Sequence, residues 1–171
     1  MNAAWLRAIL ILPGNVLVTV PSLLLYFTGY RWPDESRWPL VAAGIALCAS
    51  GLLLAVWTMR LFARLGRGTA APWNPPRRLV VAGPYRHVRN PMITSVLAML
   101  AGEALILESG VIAIWLGVFF LVNVLYFPLV EEKELIKRFG EDYRLYRSNV
   151  PRWLPRPTAW FPPLPGEKKT D

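Results

Sequence analysis

Four apolar runs of near-membrane length dominate this sequence and constrain its fold more than any motif does. They cover residues 8–28, 39–62, 92–107 and 111–130. A helix needs about 20 apolar residues to cross a bilayer, and only helices or closed barrels can span one. With 54% hydrophobic and only 18% charged residues, the chain is too apolar for an ordinary soluble domain. We therefore predict one all-α integral membrane domain over residues 1–171, with four transmembrane helices.

The arginines predict how these helices are oriented. Seven arginines and no acid occur from Arg60 to Arg89, whereas no cation occurs between Arg89 and Lys133. Because cytoplasmic loops carry an excess of Lys and Arg, we expect segments 63–91 and 131–171 to be cytoplasmic, together with both termini. The third and fourth runs then form a helical hairpin that turns on the opposite side.

The first run has two interpretations. A cleaved signal peptide is the alternative to a span, but the run is long, is broken by Pro13 and Pro21, and lacks a clear small-residue cleavage site near Tyr30. The prolines predict a kink in this span. The arginine-rich and alanine-rich composition indicates a bacterial protein, which predicts the inner membrane as its location.

Beyond residue 130 the chain turns polar without losing its helical pattern. The sequence E-E-K-E-L-I-K-R-F-G predicts that the last helix continues into the cytoplasm and stops at Gly140. A further cytoplasmic helix is predicted over residues 141–149, with Tyr143 and Tyr146 on one side. Pro151 ends it.

Two polar clusters flank the predicted hairpin at its cytoplasmic end. One precedes the third run and contains Arg86, His87, Arg89 and Asn90, and the other, Glu131 and Glu132, follows the fourth run. Antiparallel helices joined by a short turn bring these ends together. The charges then form either a salt-bridge network that anchors the hairpin, or a pocket for a zwitterion.

In the pocket interpretation, an arginine binds a carboxylate and a glutamate binds an ammonium. Tyr85, Tyr143 and Tyr146 are candidates to hold an attached cation or aromatic ring. S-adenosylmethionine carries all of these groups. Since adjacent helical residues point about 100° apart, we expect only one of the two glutamates to contact the ligand.

Several other classes of site are excluded by composition. Cys48 is the single cysteine and His87 the single histidine, so the chain can form neither an internal disulfide nor a cysteine or histidine metal site. The net charge is +8, but the arginines alternate with membrane-length runs. This favours membrane lipids over nucleic acid as partners. The sequence assigns no oligomeric state.

The motif order resembles a known family. G-P-Y-R-H-V-R-N-P-M, then E-E, F-G-E-D-Y-R-L-Y and V-P-R-W-L-P-R resemble the integral-membrane isoprenylcysteine carboxyl methyltransferases and phospholipid methyltransferases. The resemblance covers roughly Arg64 to Arg156. It implies S-adenosylmethionine as cofactor and methyl transfer to a lipophilic acceptor that enters from the bilayer. Its motifs imply cofactor binding by Arg89, Asn90, Pro91, Met92, Glu131 and Glu132. Together with Tyr85, Arg86, Tyr143 and Tyr146 from the pocket interpretation, these are the predicted cofactor-binding residues.

Two positions depart from the family pattern R-H-P-x-Y, which falls on residues 89–93. Asn90 replaces the histidine and Ile93 replaces the tyrosine. Asn90 still donates and accepts hydrogen bonds but does not titrate near neutral pH. A carboxylate acceptor needs no base, whereas an amine must first lose a proton. Because Asn90 cannot take up that proton, the remaining base candidates are His87 and the paired glutamates. We predict His87, Asn90 and Glu132 as the catalytic residues.

Alternatives from other classes stay open. A phospholipid or another small amphiphile is favoured over an isoprenylcysteine as acceptor, because bacteria generally lack prenylated proteins. The C-terminal pattern also resembles membrane sterol reductases, in which Arg77, Arg78 and Arg86 would bind the 2′-phosphate of a nicotinamide cofactor. A membrane scaffold or lipid-binding protein without catalysis is the third alternative.

Overall fold

A computed structural model describes residues 13–33, 37–66 and 77–163. Within these ranges every regular element is a helix, which confirms the predicted all-α class. We number five of them α1 to α5: Asn15–Phe27, Trp38–Gly66, Pro91–Ile106, Gly110–Tyr126 and Glu132–Asn149. A π-helical turn, Phe127–Glu131, joins α4 to α5 without a break in the helix.

The apolar helices fall where the sequence predicts spans. Two stretches, Trp38–Gly66 and Gly110–Asn149, are long and apolar enough to cross a membrane by length and composition, and α1 and α3 are shorter apolar helices. The predicted first span begins before the described residues. Because a helix satisfies its own backbone hydrogen bonds, an apolar run in lipid has few alternatives to this structure.

Prolines and π-helical turns interrupt the helices at defined places. In α1 the predicted kink corresponds to a π-helical turn, Asn15–Thr19, followed by Pro21 near the start of the regular helix. Pro128 lies in the π-helical turn between α4 and α5. Proline has no N–H to donate, so the regular hydrogen-bond pattern must adjust there. The adjustment lies directly before Glu131 and Glu132.

The predicted hairpin is confirmed. Helix α3 ends at Ile106 and α4 begins at Gly110, with Glu108 in a left-handed conformation (φ 46°) between them. Residues between α1 and α2 are hydrogen-bonded to this turn. The Tyr30 hydroxyl donates to the Leu107 carbonyl (2.5 Å), and the Arg37 backbone N–H donates to the Glu108 carboxylate (2.9 Å).

Glycines allow α2 and α3 to pack closely, as the small residues of α2 predict. A Cβ atom added at Gly44 would lie 2.7 Å from the Gly102 carbonyl oxygen, and one at Gly51 would lie 2.7 Å from the Ser95 carbonyl oxygen. A Cβ at Gly102 would overlap the Cys48 sulfur and approach the Gly44 carbonyl oxygen to 2.6 Å. Among the described elements, α2 and α3 pack together most extensively.

Helix α5 bends where the sequence predicts a stop. Gly140 has φ 56° and ψ −128°, a conformation that favours glycine, and it divides α5 into the two predicted cytoplasmic helices. Beyond the bend, Tyr143 and Tyr146 form a buried cluster with Val150. The following residues, 150–163, which we call the tail, pack Trp153 edge-on against Phe120 and Phe127 of the fourth apolar helix and its π-helical turn.

We expect Gly102→Ala to lower the thermal stability of the detergent-solubilised protein. The methyl group would overlap backbone atoms that cannot move aside, and overpacking of this kind costs about 1–3 kcal/mol. Gly117→Ala is the matched control, since no atom lies within 4 Å of its added Cβ and alanine is the better helix former by about 1 kcal/mol. Equal melting temperatures for the two variants would contradict the described α2–α3 contact.

Candidate functional site

The segment of residues 83–92, which we call the motif segment, is shaped by its glycine and prolines. Gly83 adopts a left-handed conformation (φ 54°) and Pro84 starts a 3₁₀ turn, Gly83–Arg86. Pro91 is the first residue of α3, and Asn90 is the residue before it. Proline is favoured at this position because its missing N–H has no helical partner there. The two prolines therefore restrict the backbone at both ends of the segment between them.

A cavity of about 350 Å³ lies between the motif segment and the helix that runs from α4 into α5. This volume is within the range of small-molecule sites. Seven of the predicted site residues line this first cavity: Tyr85, Arg89, Asn90, Met92, Glu131, Tyr143 and Tyr146. The structure thus brings together residues from both polar clusters and from the helix beyond Gly140.

The other predicted site residues lie elsewhere. Arg86, His87 and Pro91 line a second cavity, which is largely apolar and faces Trp57 and Trp153. The His87 Nδ1 atom is 2.9 Å from the Arg156 carbonyl oxygen, so this ring nitrogen donates the hydrogen bond. The Arg86 guanidinium stacks on Phe161, with 4.2 Å between its central carbon and the ring centroid. These side chains face away from Arg89 and Asn90.

Glu132 lines neither of these cavities and instead sits in a buried salt-bridge network. Its carboxylate is 2.7 Å from Arg89 Nη1 and 2.6 Å from Arg152 Nη2, and Arg147 Nη1 lies 3.4 Å away. The Glu132 side chain is only 4% exposed. Its partners come from the motif segment, α5 and the tail, so the carboxylate joins three separate parts of the chain.

Two hydrogen-bond donors on the cavity-lining residues have no partner among the described residues. They are Arg89 Nε and Asn90 Nδ2, and both atoms are buried. Leaving a buried donor unpaired costs about 1–3 kcal/mol, so native proteins rarely keep such atoms without a reason. Two unpaired donors on adjacent residues that line one cavity are suited to a ligand with acceptor oxygens, such as a carboxylate.

Glu131 supplies the opposite charge in the first cavity. It is the first residue beyond the predicted span, and burial, reinforced by the charges of Glu132 and Glu134, raises its pKa from 4.5 to about 7. A carboxyl group with this pKa is partly protonated at neutral pH. A cation beside it would favour the charged form, so the site can bind an ammonium or sulfonium in exchange for a proton.

Three tyrosines form one wall of the first cavity. Burial raises the pKa of Tyr85 well above its ordinary value and also raises those of Tyr143 and Tyr146. All three therefore stay neutral at physiological pH. The Tyr146 hydroxyl donates to the Tyr85 carbonyl (2.7 Å), and the Tyr85 ring packs edge-on against Phe62 at 5.3 Å. These contacts fix the wall against the C-terminal end of α2.

Sequence reasoning missed much of the lining on α5. Counting from Glu131, the helical spacings of three, four, seven and eight residues lead to lining residues that were not predicted: Glu134, Leu135, Arg138 and Phe139. This period was readable in the sequence once Glu131 was placed in the site. Residues from other elements were not readable in this way, namely Phe62, Leu79, Val80, Tyr126 and Phe127. Arg78 and Ile93, which the sequence singled out for other reasons, also line the cavity.

The chemistry of the first cavity follows from its lining. Unpaired nitrogen donors and an excess of arginine favour a carboxylate, Glu131 favours a cation, and tyrosine faces favour a ring or sulfonium. The end towards the apolar helices carries Phe62, Ile93 and Phe127. Among the described residues no group of histidine, cysteine, aspartate or glutamate side chains could hold a metal ion. The cavity is suited to a zwitterion beside an apolar molecule.

Comparison with known proteins supports the resemblance seen in the motifs. Residues 40–142, more than half of the chain, match the phospholipid methyltransferase family. The matched region contains α3, α4 and most of the residues that line the first cavity. Neither the curated proteins nor the solved structures contain a match to this chain.

We expect Glu132→Gln to unfold at a markedly lower temperature than the wild type. Removing one charge of a buried pair costs about 3–5 kcal/mol, because the arginine partners remain buried without compensation. Glu141→Gln is the matched control on the same helix, since Glu141 pairs with Arg144 at the exposed surface, where a salt bridge contributes less than about 1 kcal/mol. Similar thermal shifts for both variants would contradict the network.

Proposed function

The chain belongs to the phospholipid methyltransferase family, and on this premise we propose that it transfers a methyl group from S-adenosylmethionine to a lipophilic or amphiphilic acceptor. The observation that carries the proposal is the pair of unpartnered donors, Arg89 Nε and Asn90 Nδ2, on two residues that line one cavity with Glu131. These groups are complementary to the carboxylate and the ammonium of an amino-acid ligand.

The residues of the first cavity fit this cofactor and divide its binding between them. Arg89 and Asn90 would hold the carboxylate, Glu131 the ammonium, and the tyrosine wall the sulfonium or the adenine. When bound, S-adenosylmethionine supplies an electrophilic methyl group on its sulfonium. The contribution of the protein is to align donor and acceptor and to exclude water, which is what a displacement reaction requires.

This assignment changes two roles predicted from the sequence. His87 lines the second cavity, with its Nδ1 bonded to the tail, so the proposal gives it no part in proton transfer. Glu132 is held by three arginines and acts by orienting Arg89 rather than by contacting the ligand. Asn90 keeps a binding role through its unpaired amide donor.

The acceptor is proposed to enter from the bilayer. Phe62, Ile93, Tyr126 and Phe127 line the end of the first cavity nearest the apolar helices, and Ile93 stands where the family pattern has a tyrosine. An apolar wall at this place suits a hydrocarbon chain that lies alongside the helices. A phospholipid or another small amphiphile fits this wall. Membrane lipids are thus both the surroundings and the proposed source of the acceptor.

The nicotinamide alternative receives no support from the geometry. The arginines named for a 2′-phosphate, Arg77, Arg78 and Arg86, do not share a cavity, since Arg78 lines the first and Arg86 lines the second. A non-catalytic scaffold would give no reason for two buried donors to remain unpaired. Ligand binding is therefore the property that separates these alternatives.

We propose four membrane crossings with the first cavity and both termini on the cytoplasmic side of an inner membrane. In a Cys48→Ala background, Gly110→Cys should react with an impermeant thiol reagent on intact cells, and Ser148→Cys only after permeabilisation, because both positions are exposed and the arginine-rich loop stays inside. The reverse pattern would place the first cavity on the outer face, away from cytosolic S-adenosylmethionine.

Calorimetry of the purified protein tests the function. We expect S-adenosylmethionine and S-adenosylhomocysteine to bind and NADPH not to bind. Because an ammonium beside Glu131 favours its charged form, and the pKa of free Glu131 is raised to about 7, affinity should rise with pH up to about 7, by at most tenfold per unit, and then level off. Glu131→Gln should weaken binding and remove this dependence.

The ligand-free protein should show the opposite trend with pH. The folded-state pKa of Glu131 lies above its ordinary value of 4.5, so its charged form is disfavoured in the folded protein, and stability falls as pH rises from about 4.5 to about 7.

Binding of NADPH alone would overturn the methyltransferase proposal. Failure to bind any of the three ligands, in a folded and monodisperse sample, would favour the scaffold.

A further inference from the structure

Arg89 makes an unusual contact with Glu132. Arginine and carboxylate groups prefer to pair through two parallel hydrogen bonds, yet Arg89 donates to Glu132 through Nη1 only (2.7 Å), and its Nε has no partner among the described residues. The second carboxylate oxygen, Oε2, also makes no hydrogen bond. Because the Nε–H lies on the guanidinium edge that it shares with Nη2, it does not point at the carboxylate held by Nη1.

Arg152 holds the same carboxylate oxygen that Arg89 contacts. It approaches Glu132 from the tail, and both its Nε (2.9 Å) and its Nη2 (2.6 Å) donate to Oε1. Arg147 lies 3.4 Å from the other oxygen, Oε2. With Oε1 shared between two arginines, the carboxylate is fixed against Arg89 Nη1, and this contact sets the direction of the rest of the Arg89 guanidinium.

We propose that Arg152 is a positioning residue for the cofactor carboxylate. By holding Glu132 on Oε1, it fixes the carboxylate against Arg89 Nη1 and thereby orients the Nε–H of Arg89, and it adds positive charge that one glutamate does not neutralise. Arg89 Nε then remains available to the ligand. The inference rests on the proposed function. It assigns a role to a residue that lies beyond the region matched to the family, residues 40–142.

The role of Arg152 is separable from the general attachment of the tail. Arg156 also anchors this part of the chain, since its backbone N–H donates to the His87 carbonyl (2.9 Å) and its Nη1 donates to the Asn149 carbonyl (2.8 Å). Arg156 forms no ion pair with Glu132. Arg156→Gln removes the side-chain bond to Asn149 without releasing the Glu132 carboxylate, and therefore serves as the matched control.

The test compares two ligands that share an adenosine group and a thioether but differ in the amino-acid portion. S-adenosylhomocysteine carries the carboxylate and the ammonium and 5′-methylthioadenosine carries neither, so only the first depends on Arg89 Nε. For Arg152→Gln we expect the dissociation constant of S-adenosylhomocysteine, measured by calorimetry, to rise by about tenfold or more, the loss of one charged hydrogen bond. The dissociation constant of 5′-methylthioadenosine should change by less than about twofold in the same variant. Arg152→Lys should restore part of the loss.

Each outcome has a definite meaning. Selective loss of S-adenosylhomocysteine binding in Arg152→Gln, absent in Arg156→Gln, supports the positioning role. Equal loss of both ligands indicates a purely structural role and overturns the inference, as does unchanged binding of both. If the wild-type protein binds neither ligand, the proposed function fails first and the inference fails with it. Because only folded protein is used for calorimetry, a lower stability of a variant does not by itself change the comparison of the two dissociation constants.

Discussion

The buried carboxylate of Glu132 is the interaction on which the site depends. One negative charge in a buried position is stable only when cations and hydrogen bonds compensate it, and here the compensation comes from Arg89, Arg147 and Arg152. These arginines belong to the motif segment, α5 and the tail. Three segments that share no secondary structure are thereby fixed around one point. The first cavity lies beside this point, so its shape follows from the network.

The apolar helices contribute a rigid support for this polar centre. Glycines let the backbones of α2 and α3 approach closely, which fixes the start of α3 and hence Asn90 and Arg89. The π-helical turn, Phe127–Glu131, then sets the direction in which α5 leaves the fourth apolar helix. Glu131 faces the first cavity and Glu132 faces the arginines as a result. Two adjacent glutamates thus act in different surroundings.

The fold was more predictable from the sequence than the site. Apolar runs predicted the positions of the four apolar helices, because a helix is what an uncharged run must form in lipid, and the left-handed Gly140 confirmed the predicted stop. The pairing of Gly44 with Gly102 was not predictable, since neither residue indicates its partner. Likewise the separation of His87 from Asn90 depends on backbone angles in the motif segment. Local patterns do not contain these angles.

The order in which the network is synthesised has a consequence for biogenesis. Glu132 leaves the ribosome after Arg89 but before Arg147 and Arg152, so for a time the nascent chain offers this carboxylate only one of its three cations. The hairpin of α3 and α4 is by then complete, because both helices precede Glu132 in the chain. The cavity acquires its final charge arrangement only when the tail folds back across the motif segment. Formation of the apolar helices and completion of the charge network thus depend on different parts of the chain.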